Sequence, residues 1–297
     1  MIHTIVQADC LDFLRAQPDG SLDLVFGSPP YEQARLYLED GQDLGIARNT
    51  KEWVDWMVDV HEAAQMACIG LVAFVVAGQT RNYRWSASPA LLMAELHRRG
   101  LNLRNPPIFS RVGIPGSGGP DWLRSDYEWI VCTTRFGKLP WSDTTALGHQ
   151  PKWAPGGEMN HRLSDGARVN QCGRATSGHK DGDTQNSNAY DPPVLANPGN
   201  IIHCIVGGGV MASTGAASRL ASLNEAPFPE KLAEFFILSF CPPSGRVCDP
   251  FSGSGTTAAM AKKHGRNFTG CDLRQSQVDL GLRRLAQEQA LMFTKAP

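Results

Sequence analysis

The chain opens with two short apolar segments, "HTIVQA" (3–8) and "LDLVF" (22–26), that read as strands. Between them "DCLDFLRAQPDGS" fits a short helix stopped by Pro-Asp-Gly. From about Lys51 the apolar positions take a helical period: Trp53, Trp56, Met57, Val60, Ala63, Ala64 and Ala67 share one face behind a cap at Asn49 or Thr50, so these aromatic rings read as core. "GLVAFVVAG" (70–78) is a continuous apolar run between glycines, the pattern of a strand covered on both faces. "SPALLMAELHRRG" starts a helix at Ser88, with Pro89 in its first turn, and stops it at Gly100. Strands follow at "PPIFSRV" (106–112) and "YEWIVCTT" (127–134).

The periodicity fades between about 136 and 222, where Gly, Ser, Asn, Asp, Thr and Pro dominate; this is an insertion or small subdomain with long loops, and segments of that kind tend to carry function. Regularity returns with a helix at "FPEKLAEFFILSF" (228–240), opened by Pro229. Strand, glycine-rich turn, helix and strand follow up to Asp272, and "QSQVDLGLRRLAQEQ" closes the chain as a helix. Strands alternating with helices predict an α/β fold, a mainly parallel sheet with helices on both faces.

With 297 residues, 42% of them hydrophobic, the chain can bury a sizeable core. The net charge of −1 decides nothing, but its distribution does. Residues 1–62 set twelve acids against Arg15, Arg35, Arg48 and Lys51, whereas 81–124 sets seven arginines against Glu95 and Asp121. An all-arginine stretch suits bidentate phosphate and guanine contacts, and a solvated face explains the same charges. The eight cysteines form no C-x-x-C pair; Cys10, Cys204, Cys248 and Cys271 sit in apolar stretches as reduced core residues of a cytoplasmic protein. No run approaches the length of a membrane helix, and the spacing of His149, His161, His179 and His203 matches no zinc site, so neither membrane nor metal is expected.

Two motifs carry chemistry. In "GSPPY" (27–31) two prolines stiffen the chain as it leaves a strand and remove two backbone donors, leaving carbonyls without a ladder to join. In "DPFSGSGTT" (249–257), between a strand and an alanine-rich helix, Gly253 and Gly255 allow close approach of a ligand to the backbone. Asp272, 17 residues beyond Gly255, ends the next strand where a carboxylate accepts from ribose hydroxyls. The lysine of a P-loop is missing, whereas Gly253, Gly255 and Ala258 satisfy G-x-G-x-x-A, which leaves a nicotinamide oxidoreductase as a competing reading.

With both motifs in one chain, the sequence resembles the amino-group DNA methyltransferases dependent on S-adenosylmethionine, which carry an [S/D/N]-P-P-[Y/F/W] catalytic motif and a D-P-F-x-G-S-G-T-like cofactor motif. The catalytic motif comes first, as in the permuted β-group order. The resemblance covers most of residues 1–135 and 223–290. It implies a Rossmann-like methyltransferase fold with circularly permuted motif order: a catalytic half (1–135), a target-recognition insertion (136–222) and a cofactor-binding half (223–297). It implies catalytic roles for Ser28, Pro29, Pro30 and Tyr31. The Ser28 hydroxyl and Pro29 carbonyl would take the two hydrogens of an exocyclic amine, and Tyr31 would stack on the flipped base. S-adenosylmethionine would be held by Asp9 and Cys10 in "VQADCLDFLR", by Phe228 in "NEAPFPEKL", by Asp249, Pro250, Phe251, Gly253, Gly255, Thr256 and Thr257, and by Asp272. Asn224 departs from the histidine many relatives carry there.

"SPPY" is the form commonest among cytosine-N4 enzymes of that family and "DPPY" among adenine-N6 enzymes, so cytosine is favoured and adenine is the alternative. The partner implied is double-stranded DNA, met by Arg81, Arg84, Arg111, Trp122 and Arg124 and by the glycine-rich loop 113–129. A surface loop around a buried tryptophan explains the same residues. A homodimer, a cognate restriction endonuclease for the same site, and a silent DNA-binding protein that keeps the fold without turnover are all left open by these residues.

Overall fold

The computed structural model describes residues 1–32, 38–39, 42–43, 48–113, 118–152, 158–162, 165–172, 194–205 and 228–288. Its main sheet has nine strands: β1 (His3–Gln7), β2 (Leu22–Gly27), β3 (Cys68–Val76), β4 (Asn102–Leu103), β5 (Ile108–Val112), β6 (Tyr127–Thr134), β7 (Ile201–Ile205), β8 (Arg246–Asp249) and β9 (Asn267–Asp272). They lie in the order β1-β9-β8-β2-β3-β6-β5-β7, with β4 beside β6. The run from β1 to β3 is parallel throughout. Strand β6 is antiparallel to β3, β4 and β5, and β7 returns parallel to β5.

Six helices cover this sheet: α1 (Cys10–Arg15), α2 (Thr50–Ala67), α3 (Ser88–Arg98), α4 (Glu230–Phe240), α5 (Thr256–Lys263) and α6 (Gln275–Gln287). Alternate residues of β3 divide between the two faces, which is why its sequence is apolar without interruption. Val72, Phe74 and Val76 join Phe13, Trp53, Met57 and Leu92 of α1 to α3 in one core. Leu71, Ala73 and Val75 join Phe236, Met260, Val278 and Leu285 of α4 to α6 in the other. Asn49 begins α2 with a capping box: its side chain accepts from the Glu52 amide and the Glu52 carboxylate accepts from the Asn49 amide, both at 3.0 Å.

Strand β3 starts at Cys68, two residues before the expected glycine. Gly70 lies inside it, beside a register shift in β2, where a Cβ would fall 1.7 Å from the Asp23 carbonyl oxygen. The glycine marks a close backbone approach and not the strand's end.

The chain divides into two compact units, residues 1–143 with 199–297 and residues 144–198. The second is narrower than the 136–222 expected as insertion, because β7 belongs to the main sheet. Within the second unit, Glu158–Arg162 and Arg168–Cys172 pair as an antiparallel hairpin, and His149 bridges to Ala196. Asn224 and His179 lie outside the described residues.

Candidate active site

Four neighbouring parallel strands, β1, β9, β8 and β2, end on one edge of the sheet, so the segments that follow them are brought together, as open α/β sheets bring loops to the carboxyl ends of their strands. The pairing of Val247 with Leu24 and of Cys248 with Val25 puts Asp249 beside the end of β2. A Cβ added to Gly27 would stand 2.3 Å from Asp249 Oδ1. "GSPPY" and "DPFSGSGTT", more than two hundred residues apart, are therefore in contact. On the other side the Ala8 amide donates to the Asp272 carbonyl at 3.1 Å, which sets Asp9 and Cys10 next to the end of β9.

The turn after β8 is internally braced. Buried Asp249 accepts from the Phe251 amide at 2.9 Å and from Thr257 Oγ1 at 2.7 Å, and burial pushes its carboxyl up to about 7. Asp272 Oδ2 accepts from the Gly253 amide at 2.9 Å and its Oδ1 from the Arg274 amide at 3.0 Å. Gly253 and Gly255 have positive φ, 48° and 76°. A Cβ on Gly255 would meet the Gly281 Cα at 3.0 Å, so the turn also lets α5 and α6 close together. Thr256 and Thr257 are buried, and Thr256 Oγ1 accepts from Arg284 Nη1 at 2.9 Å. Arg284, fully buried on α6, also pairs with Glu230 at the start of α4. Sequence reading missed this arginine, since nothing local separates it from a solvated helix cation.

Aromatic rings sit beside the turn. Phe251 meets Trp56 edge-on with centroids 5.6 Å apart and Phe74 at 5.7 Å, and the Arg48 guanidinium lies 4.2 Å over Trp56. Trp56, read from the sequence as core, thus borders the cofactor motif. Phe228 packs edge-on against Phe26 at 5.4 Å. Pro250 accepts through its carbonyl from the Cys271 thiol at 3.3 Å. Asp9 caps α1 by accepting from the Leu11 and Asp12 amides, and burial pushes the neighbouring Cys10 thiol up to about 12. All seven described cysteines without masked side chains are free and buried.

Ser28 donates to the Val75 carbonyl at 3.3 Å and lies 3.4 Å from the Tyr31 hydroxyl. Tyr31 in turn donates to Glu128 Oε2 at 2.7 Å, and Glu128 Oε1 pairs with Arg111 Nη1 at 3.0 Å. Burial first, then the Glu128 charge, hold the Tyr31 phenol well above its ordinary range, so it stays a donor. The Trp53 indole donates to the Pro30 carbonyl at 2.8 Å, and Pro29 is buried. One of the two proline carbonyls is thus taken by a tryptophan.

The five residues expected to meet DNA are not alike. Arg81 and Arg84 are exposed and paired across a short hairpin whose turn, Asn82 and Tyr83, has positive φ at both positions. Tyr83 at its tip is 72% exposed and meets Trp122 edge-on at 5.6 Å, so Trp122 is not the buried ring of the competing reading. Arg124 pairs with Asp126 at 3.4 Å. Arg111 differs: besides Glu128 it donates to the Ser125 carbonyl at 2.6 Å, so its guanidinium is spent on holding Tyr31's partner and the end of the loop. Residues 114–117 of that loop lie outside the described residues.

The site suits a ligand rich in cationic and hydroxyl groups: Asp9, Asp249 and Asp272 gather at the edge with the rings of Phe251 and Trp56. It does not suit a dinucleotide, because the Gly253 amide that would meet a pyrophosphate already holds a carboxylate. Fold and site together define a methyltransferase that uses S-adenosylmethionine.

The chain belongs to the DNA methylase family: the N6_N4_Mtase family model, described as DNA methylase, matches residues 22–283. Over 286 residues the chain is 44% identical to the DNA adenine methyltransferase YhdJ of Escherichia coli (strain K12), a match that spans 95% of this chain and 82% of that protein. Among solved structures it is similar to the PvuII DNA methyltransferase (cytosine-N4-specific), with a TM-score of 0.64 at 18% identity over 99% of this chain and 87% of that one. It is also similar to TTHA0409, a DNA modification methylase of Thermus thermophilus complexed with S-adenosyl-L-methionine, with a TM-score of 0.58 at 21% identity over 97% and 94% of the two chains. The chain is a DNA methyltransferase. Among the described residues no helix is long and apolar enough to cross a membrane, and no group of His, Cys, Asp and Glu is arranged to hold a metal ion.

Proposed function

We propose that this enzyme methylates the exocyclic N4 amine of a cytosine flipped out of duplex DNA. The observation that carries the choice of base is Ser28: the first position of the catalytic motif offers an uncharged hydroxyl, and the carboxylate of this pocket, Glu128, is spent on Tyr31 and Arg111. S-adenosylmethionine supplies an electrophilic methyl carried on a sulfonium. The chain's own part is to aim the nitrogen. An aromatic amine is a poor nucleophile because its lone pair is delocalised into the ring. Ser28 Oγ and the Pro29 carbonyl accept its two hydrogens and turn the lone pair toward the methyl group. The Tyr31 ring, held at its hydroxyl end by Glu128, stacks on the extruded base and offsets the few kcal/mol, in order of magnitude, that extrusion costs. Asp9, Phe228, Phe251, Asp249 and Asp272 line the cofactor's place, with Gly253 and Gly255 giving the backbone its approach. Arg81, Arg84, Trp122 and Arg124 meet the DNA.

A second reading, adenine N6, is favoured by YhdJ, a relative named as an adenine methyltransferase that matches 95% of this chain. Sequencing DNA from a host expressing the protein, by a method that separates N4-methylcytosine from N6-methyladenine, tests both. The expected result is N4-methylcytosine at one short site, absent with Ser28→Ala. N6-methyladenine would select the second reading, and DNA identical to an empty-vector control would refute the function.

A further inference from the structure

Glu32, the residue after the catalytic motif, is 4% exposed, and neither of its carboxylate oxygens has a hydrogen-bond partner among the described residues. A buried acceptor-only group left unpaired is costly and calls for a donor from outside the chain. Glu32 lines a cleft of about 710 Å³ between the start of α2, the outer side of α3 and the hairpin at 80–85. The other charges of this cleft on α2 and α3 are satisfied in pairs, Lys51 with Asp55 at 2.6 Å and Arg98 with Glu95. Val54, Leu91 and Ala94 supply an apolar wall, and the exposed Arg81 and Arg84 stand on the cleft's hairpin side.

An apolar wall, an acceptor at depth and arginines at the hairpin match the three parts of a nucleotide: the face of a base, its edge and its phosphate. None of Ser28, Pro29 and Tyr31 lines this cleft, so it is separate from the place of the methylated amine. We propose that the cleft takes a second nucleotide of the bound DNA, close to the methylated one, and that Glu32 selects a base bearing an amino group there. A carboxylate accepts from cytosine N4, adenine N6 or guanine N1 and N2; thymine sets its one N–H between two carbonyl oxygens that the carboxylate repels. This inference rests on the methyltransferase reading and adds a specificity residue to it.

Once the methylated site is known, duplexes are made in which each neighbouring base in turn loses its amine: inosine for guanine, purine for adenine, pyrimidin-2-one for cytosine. At one position the loss is expected to lower the wild-type kcat/KM about tenfold or more. Glu32→Leu should start from a lower rate and show no further loss at that position. Glu32→Gln, nearly the same in shape, should keep part of the discrimination and relax the exclusion of thymine. Wild-type affinity for S-adenosylmethionine in both variants verifies their folding. Arg84→Ala should lower the dependence of DNA affinity on salt, log against log, by about one. The inference is overturned if no analogue slows the wild type, or if the same analogue slows the wild type and both Glu32 variants equally. A wild type that methylates no duplex at all would instead bring down the methyltransferase reading itself.

Discussion

Replacing Gly27 by alanine tests the contact on which the site is built. The new methyl carbon would lie 2.3 Å from Asp249 Oδ1 and 3.0 Å from its Cγ, so one of the two segments must shift by about 1 Å to restore ordinary contact. Gly27 is not among the residues of positive φ, and alanine suits its backbone; the whole penalty comes from the contact. Asp249 has little freedom to retreat, being buried and tied to the Phe251 amide and Thr257 Oγ1. Overpacking of this kind costs roughly 1–3 kcal/mol, and losing one hydrogen bond to the carboxylate about as much again, so Gly27→Ala should destabilise by about 2–4 kcal/mol. Urea denaturation measures that loss, and calorimetry should show weaker binding of S-adenosylmethionine because the displaced carboxylate carries the glycine-rich turn with it. The control is the cycle with Asp249→Ala, which removes the obstructing oxygen: in that background Gly27→Ala should cost under about 0.5 kcal/mol. Equal costs in both backgrounds, or a Gly27→Ala protein as stable as the wild type, would show that the two motifs do not meet as described.

The elements that could be read from the chain are those whose cause is local. The period of α2 and its Asn49–Glu52 cap lie within four residues of each other, and the uninterrupted apolar run of β3 reports its two covered faces. The two motifs were legible because each is a short string with its own backbone demands. Pairings across the fold leave no such trace. Tyr31 and Glu128 are 97 positions apart, and a glutamate inside "YEWIVCTT" looks like the solvated side of an edge strand until β5 and its arginine are laid beside it. Arg111 shared a cluster with six other arginines, and only its geometry separates an internal clamp from a surface cation. Strand β7 was hidden for a related reason: outward-facing His203 interrupts its apolar pattern, within a stretch dominated by small polar residues.

Three further predictions follow from the same pairings. Glu128→Gln keeps the size of the side chain but leaves Arg111 without its countercharge and Tyr31 with a neutral acceptor. It should lower kcat about tenfold, an order set by one charge-assisted hydrogen bond, with affinity for S-adenosylmethionine unchanged; Tyr31→Phe combined with it should be no worse than either alone, and additive losses would break the proposed chain. Arg284→Met strands Glu230 and the Thr256 hydroxyl and should cost about 3–5 kcal/mol in urea denaturation, most of it recovered by adding Glu230→Leu; no recovery would mean that the arginine acts by packing alone. The last concerns pH. Burial raises the Asp249 carboxyl from its ordinary 3.8 to about 7, so between those values the folded protein holds a proton that the unfolded chain has released. Stability then falls as pH rises through that window and levels off above it, because the unfolded state binds fewer protons than the folded one there. Asp249→Asn has no such proton to lose. The stability of the wild type minus that of Asp249→Asn should therefore decline between pH 4 and pH 7, by an amount on the order of 4 kcal/mol, and stay constant beyond. A difference that is flat across that range, or that grows with pH, would mean that the Thr257 hydroxyl and the Phe251 amide stabilise the charged carboxylate enough to cancel its burial.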